Sequence, residues 1–252
     1  MDLEIITTLD GSHTLFHKGV NQHYHSTFGA IQESRHIFIE SGLKAVFAKT
    51  GKFSNGDEAA PQLCQSSPIG ELTSHIRESP FAVHILEIGF GTGLNALLTQ
   101  IEAEKSGIRV LYTSVEAFPL EADYWKSLNY PHSIGSDDFS EIFTNLHQAN
   151  WYEPVIISPC FTLHKIHTSL EAFFPLTGFF NLVYFDAFGP DAQPELWEEQ
   201  IFRKIYNGLS PGAILMTYSV KGIVVRALRS AGFKTEKLPG PPGKRHVLRA
   251  IK

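Results

Sequence analysis

The rhythm of apolar positions changes near residue 83. Upstream, residues 1–80 read as irregular and rich in His, Ser and Gly, with a helical pattern over Gly29–Ser41 and a turn-rich patch at Thr50–Gln62. Downstream, short β-branched or apolar runs alternate with helical stretches, the pattern of successive strand–helix–strand units around a parallel sheet. The runs predict strands at Val83–Ile88, Val110–Glu116, Phe161–Ile166, Leu182–Asp186 and Ala213–Tyr218. Helical spacing predicts helices at Gly93–Lys105, Leu120–Leu128, Asp138–Leu146, Pro194–Asn207 and Val220–Ala231. The close of the chain breaks the alternation. Phe233–Leu238 and Arg245–Ile251 flank the stretch PGPPGK, so these two strands form an antiparallel hairpin rather than another crossover. The expectation is an α/β doubly wound sheet over residues 81–252, with residues 1–80 as an extension contributing to the active-site lobe.

Composition fits that picture. A chain of 252 residues, 43% hydrophobic and 19% charged, suits one large α/β domain or a compact domain with an extra lobe. The start, MDLEIITTLDG, has acids where a signal peptide carries bases, and no apolar run approaches the roughly 18 residues of a membrane span. Cys64 and Cys160 are too few for a disulfide framework and form no CxxC pair, so both read as buried thiols of a cytoplasmic enzyme. Charge is uneven. The net charge is −5, but Lys221–Lys252 holds nine Lys or Arg against one acid, a segment of +8 on a body of −13. A basic end on an acidic body fits one face meeting a polyanion; solvated faces of a helix and a hairpin are the alternative.

The chemistry concentrates at two strand ends. After Val83–Ile88 comes GFGTGLN, with glycines at Gly89, Gly91 and Gly93. Glycines between strand and helix let backbone approach a ligand, and the following helix start offers free N–H donors. Three ligands compete: a dinucleotide, a nucleotide phosphate and S-adenosylmethionine. Leu94 stands where the third glycine of a dinucleotide fingerprint belongs, and no lysine lies nearby for a phosphate loop. Glu87 before the loop would repel a pyrophosphate and attract the ammonium of a methionine moiety. Glu116, ending the next strand, suits two ribose hydroxyls, a feature NAD sites share. The balance favours S-adenosylmethionine over the dinucleotide of a dehydrogenase, and the doubly wound sheet with its hairpin is the architecture of class I methyltransferases.

The fourth strand ends in YFDAFGPDAQPELW, which aims Asp186 at the same cleft. Methyl transfer to an amine needs a deprotonated nitrogen aimed at the methyl carbon. A carboxylate can orient that amine and receive its proton. Phe188 and Pro190 could wall a flat base; Asp186 as a simple turn cap is the bland alternative. The histidine pairs His23/His25 and His164/His167 lack a third ligand, so no metal site is expected, and no GxSxG marks a hydrolase.

Together these motifs resemble the methyltransferase domain of MnmC, a tRNA wobble-uridine modification enzyme, and its stand-alone relatives. The resemblance runs through Tyr24–Ile39, Leu86–Leu98, Ser114–Glu121, Tyr184–Trp197, Leu209–Ser219, Val224–Phe233 and Pro239–Ala250. It implies methyl transfer from S-adenosylmethionine to the amine of 5-aminomethyl-(2-thio)uridine at the wobble position. A methyltransferase of the same fold acting on a small amine or protein, and a non-catalytic nucleoside-binding scaffold, are the alternatives. The resemblance further implies that Gly89, Gly91, Gly93, Asn95 and Glu116 hold the cofactor, Tyr24 and Glu33 contact cofactor or substrate, and Asp186 faces the amine. The chain has the length of the methyltransferase part and no second glycine fingerprint, so an oxidase step is not expected of it and a separate enzyme would supply the aminomethyl precursor. One departure stands out: His167-Thr168 falls where the family has Gly-Asp near adenine, leaving adenine to backbone and apolar contacts. Lys221, Arg226, Arg229, Lys244 and Arg245 become candidates for tRNA phosphates near the anticodon, and Phe188, Trp197 and Tyr218 for stacking on an unstacked base.

Overall fold

The computed structural model describes residues 2–49, 83–136 and 138–252. The chain opens with β1 (Leu3–Thr7), β2 (His13–His17) and β3 (Gln22–His23), a three-stranded antiparallel sheet where irregular chain was expected. Its first turn is built by Asp10, whose carboxylate accepts the Thr8 hydroxyl at 2.7 Å and the Ser12 amide at 3.0 Å. Helix α1 (Ala30–Ser34) then runs through a nine-residue π-helix (Arg35–Leu43) into α2 (Lys44–Lys49), well past the expected end at Ser41. Ile37, Phe38, Leu43 and Phe47 from this helix share one buried core with Ile85, Leu182, Tyr184 and Met216 of the main sheet. Burying each such side chain contributes roughly 1.5–3 kcal/mol relative to exposure, which fixes this part of the extension against the sheet.

That main sheet contains, among the described residues, β4 (Val83–Ile88), β5 (Val110–Glu116), β6 (Pro154–Ser158), β7 (Phe161–His167), β8 (Phe180–Phe185), β9 (Leu209–Thr217), β10 (Lys234–Pro239) and β11 (His246–Ile251). Their order is β10-β11-β9-β8-β4-β5-β7-β6. The five central strands are parallel, and the expected hairpin β10–β11 joins antiparallel to β9. Strand β6 is an antiparallel edge strand, additional to those the apolar runs predict. The helices are α3 (Leu94–Ser106), α4 (Ala122–Lys126), α5 (Tyr130–Ile134), α6 (Phe139–Gln148), α7 (Glu199–Gly208) and α8 (Gly222–Ser230). The helix expected at Pro194–Asn207 divides into a 3₁₀ turn, Pro194–Trp197, and α7, because Glu198 between them is extended at ψ 157°.

Helices cover both faces of the parallel strands, so strand β4 is buried at all six positions, its His84 and Glu87 included. Chain order runs outward from β4 to β5 and β7, then returns to β8 and β9 on its other side. That reversal opens a crevice beyond the carboxyl ends of β4, β5 and β8. Cys160, buried beside β7, is disulfide-bonded where a thiol was expected. Cys64 and the turn-rich patch at Thr50–Gln62 lie outside the described residues.

Candidate active site

The crevice is a cleft of about 840 Å³. Its floor begins with the loop from β4 to α3, where Gly89, Gly91 and Gly93 all take positive φ (88°, 50° and 74°). Gly93 also has no room for a side chain: a Cβ there would lie 2.8 Å from His147 Nε2. That imidazole stacks on Trp125 at 4.5 Å and bonds the Thr92 carbonyl at 3.1 Å. Beneath it, the Lys165 ammonium donates to the His147 carbonyl at 2.6 Å and lies over the rings of Trp151 (4.6 Å) and Phe90 (5.3 Å). Burial pushes Lys165 down to about 8 and His147 to about 3. Neither residue was singled out from sequence, although Lys165 shares the inward register of Phe161 and Leu163 in FTLHKIH, a visible sign of a buried lysine.

Three acids take three different positions. Glu116 ends β5 with its carboxylate fixed by two backbone donors, Gly91 N–H at 2.9 Å and Phe118 N–H at 2.7 Å. Asp186, just after β8, accepts Asn95 Nδ2 at 2.8 Å and lines the cleft; burial raises its carboxyl to about 8. Glu87 is fully buried and lies behind Asn95 rather than in the cleft, accepting Asn95 Nδ2 at 3.2 Å and the Ser114 hydroxyl at 2.7 Å. Its placement corrects the expectation of a direct contact with a methionine ammonium. The reason is the two-sided burial of β4, which turns this side chain into the protein.

Burial also pushes Glu87 up to about 8 from an ordinary 4.5. The folded protein therefore keeps a proton that the unfolded chain releases, and this contribution to stability falls as pH rises from about 4.5 through about 8. Glu87→Gln, which cannot ionise, should flatten the decline. Thermal melts between pH 5 and 8 should show the variant gaining on the wild type as pH rises.

The far side of the cleft is set by the segment after Asp186. Tyr218 donates to the Ala187 carbonyl at 2.9 Å, Trp197 Nε1 to the Phe188 carbonyl at 2.8 Å, and Gly189 N–H to Gln22 Oε1 at 2.9 Å. Gln22 and Tyr218 from elsewhere in the chain, with Trp197 nine residues past Phe188, thus hold one short loop. Trp197 is 2% exposed, so its role is this anchor and not stacking on a base. Phe188 faces the cleft with Tyr24 edge-on to it at 5.0 Å, and the Tyr24 ring in turn would meet a Gly91 Cβ at 3.2 Å. Lys244 lies inside the cleft, paired with Glu33 at 2.8 Å, rather than on an open basic face. Lys221, Arg226, Arg229 and Arg245 are exposed outside the cleft; Lys221 pairs with Asp191, and Arg229 donates to the Thr235 hydroxyl at 2.8 Å.

At the other end of the cleft, Phe118 (66% exposed) and buried Leu170 lie close to Glu116 and Thr168. His167 pairs with Glu116 in the β5–β7 ladder, and Thr168 N–H donates to the Glu116 carbonyl at 3.0 Å, so His167 ends the third parallel strand and Thr168 follows it. Among the described residues no group of three or more His, Cys, Asp or Glu is arranged to hold a metal ion, and no helix is long and apolar enough to cross a membrane.

These features fit an adenosyl amino-acid ligand. Glu116 offers acceptors to hydroxyls, and Asn95 Oδ1 is a buried acceptor with no hydrogen-bond partner, suited to an ammonium. Residues 165–252 match a family model described as S-adenosyl-L-methionine-dependent methyltransferase. The chain is an S-adenosyl-L-methionine-dependent methyltransferase with the class I fold. Within that class it resembles the methyltransferase part of MnmC. The tRNA 5-methylaminomethyl-2-thiouridine biosynthesis bifunctional protein MnmC of Chromobacterium violaceum is 32% identical over 236 residues, covering 89% of this chain and 31% of that protein. The protein of the same name from Leptospira borgpetersenii is 29% identical over 239 residues, with the same coverages of 89% and 31%. The chain thus spans about a third of the length of these curated relatives. The crystal structure of MNMC2 from Aquifex aeolicus superposes with a TM-score of 0.70 at 22% identity, covering 98% of this chain and 69% of that one, which bears on the fold.

Proposed function

We propose that this methyltransferase acts on tRNA, converting the 5-aminomethyl group of a (2-thio)uridine at the wobble position to 5-methylaminomethyl. The observation that carries the reading is Asp186, held by Asn95 between the glycine loop and the aromatic wall of Tyr24 and Phe188. When bound, S-adenosyl-L-methionine supplies an electrophilic methyl group. Gly89, Gly91, Gly93, Asn95 and Glu116 would hold it, and Phe118 with Leu170 would offer its adenine the apolar surface that His167-Thr168 does not.

Asp186 performs the proton chemistry. Asn95 engages Oδ2, leaving Oδ1 to accept an amine N–H and receive the proton as the nitrogen becomes alkylated. Phe188 and Tyr24 offer ring surface to a base lifted out of its stack. Exposed Lys221, Arg226, Arg229 and Arg245 supply cations for backbone phosphates; such contacts position the anticodon without reading it and weaken with salt. An enzyme that installs the aminomethyl group must act first.

The test is mass spectrometry of nucleosides from tRNA bearing 5-aminomethyl-2-thiouridine, incubated with the protein and methyl-labelled S-adenosylmethionine. The expected result is one labelled methyl on that nucleoside. If the protein binds the cofactor and leaves this tRNA unlabelled, the substrate is a small amine or a protein instead.

A further inference from the structure

The cleft contains a pair of charges that the transfer described above does not use. Glu33, on α1, is only 8% exposed; its Oε2 accepts the Ser26 amide at 2.7 Å and its Oε1 lies 2.8 Å from Lys244 Nζ. Lys244 comes from the β10–β11 connection at the opposite end of the chain, and its ammonium sits 5.3 Å over the Tyr218 ring. Tyr218 in turn bonds the carbonyl of Ala187, the residue after Asp186. Carboxylate, ammonium, ring and catalytic strand end therefore form one continuous wall. An ion pair in open water would matter little to its surroundings, but Glu33 and Lys244 are largely withdrawn from solvent, and charges so placed act over longer distances.

The other titratable groups facing Lys244 and Glu33 do not cancel this couple. Burial pushes His25 down to about 4, leaving it neutral, and pushes the Tyr218 hydroxyl up, leaving it protonated. Glu195 lines the same cleft, Asp191 is paired with Lys221, Asp10 is occupied by Thr8, Ser12 and Gln32, and Glu87, raised by burial to about 8, shares the Asn95 amide with Asp186 from behind and is common to every variant compared.

We propose that Glu33 and Lys244 form a balanced charge couple: each half pulls the proton affinity of Asp186 in the opposite direction, so that only the intact pair leaves the carboxyl where burial and Asn95 put it. With Asp186 taken as the acceptor for an amine proton, as proposed above, the pairing keeps either charge alone from moving that carboxyl off the affinity at which it both receives the proton and releases it to water. Both partners are positioning residues, acting on the reaction through Asp186. Lys244 lowers the proton affinity of Asp186 and Glu33 raises it, in keeping with the signs of their influence on the carboxyl.

The two halves of the couple predict opposite effects. Lys244→Met removes the cation and strands Glu33, so the Asp186 midpoint should rise by about one pH unit. Glu33→Gln strands the cation, so the midpoint should fall by about the same amount. The double variant should return it near the wild-type value, and Lys244→Arg should leave it there. A bridge that merely ties α1 to the β10–β11 connection predicts something else: each single variant breaks the same bond, so both should act alike.

The measurement is a ¹³C NMR titration of the Asp186 carboxyl in full-length protein labelled at aspartate, with the signal assigned by its loss in Asp186→Asn. Melting curves establish that each variant folds, and Lys244→Gln replaces the methionine variant if that one does not. In protein that turns over, the rising limb of kcat against pH should move with the NMR midpoint. Shifts of equal sign, or no shift, overturn the charge couple. Opposite shifts in a protein that leaves aminomethyluridine tRNA unmethylated uphold the couple and overturn the substrate reading alone.

Discussion

Asp186→Asn should lower single-turnover methyl transfer by about 10²–10⁴-fold while leaving S-adenosylhomocysteine binding within a few-fold of wild type. The substitution keeps the shape of the side chain and an oxygen that can accept Asn95 Nδ2, now 2.8 Å from Oδ2. The backbone carbonyls of Ala187 and Phe188 keep their own anchors in Tyr218 and Trp197, so the loop should stay in place. What the amide cannot do is take a proton. The pH dependence separates that loss from a change of shape. Burial raises the Asp186 carboxyl to about 8, so below that pH it is protonated and cannot serve as a base. The wild-type rate should therefore rise with pH through about 8, and the variant's residual rate should lack that limb. Calorimetry with S-adenosylhomocysteine and rapid-quench turnover across pH 6–9 check both points. A variant with wild-type turnover would reduce Asp186 to a turn cap.

The parts of this architecture that were readable in advance are those whose pattern is local. Val83–Ile88 and Val110–Glu116 fall on their observed bounds because strands covered on both faces are rich in apolar and β-branched residues and here end at a glycine or a turn. The C-terminal hairpin was marked instead by its connection, PGPPGK, a run of turn formers between the two segments it joins. The three-stranded N-terminal sheet was not. Strand β1, LEIIT, alternates weakly between exposed and half-buried positions, and only the Asp10-Gly11 turn marked a hairpin. Strand β6 was hidden because an edge strand flanked by prolines carries little pattern, and its pairing depends on β7. Side-chain roles were harder still. Glu87, Asp186 and Glu116 look alike in sequence, each an acid at or just after a strand end, yet one is sealed behind Asn95 and two reach the cleft. Lys244 was counted with a basic surface because sequence shows its charge and not Glu33, which the fold brings to it from far along the chain.

Gly93→Ala should weaken S-adenosylhomocysteine binding on the order of a hundredfold, a larger loss than the backbone alone explains. Two costs coincide at this position. The residue holds φ at 74°, where an L side chain costs roughly 1–2 kcal/mol. The new methyl group would also stand 2.8 Å from His147 Nε2. That ring cannot give way cheaply: Trp125 stacks on one side, Phe90 and Phe143 meet it edge-on, and its Nε2 is committed to the Thr92 carbonyl. Its backbone carbonyl is tied in turn to Lys165. The strain must then pass into the loop, shifting the Gly91 amide that fixes Glu116 and the start of α3 that carries Asn95. Gly212→Ala is the control, because Gly212 has nearly the same φ, 75°, with nothing within 4 Å of the added Cβ. It should lower the melting temperature by the backbone cost alone and bind S-adenosylhomocysteine like wild type. If both variants bind equally well, the imidazole behind the loop yields, and the glycine at 93 serves only the turn. If Gly93→Ala alone loses the ligand, the loop's shape is held from behind by the packed His147 ring, and cofactor affinity depends on a side chain that the loop rests against.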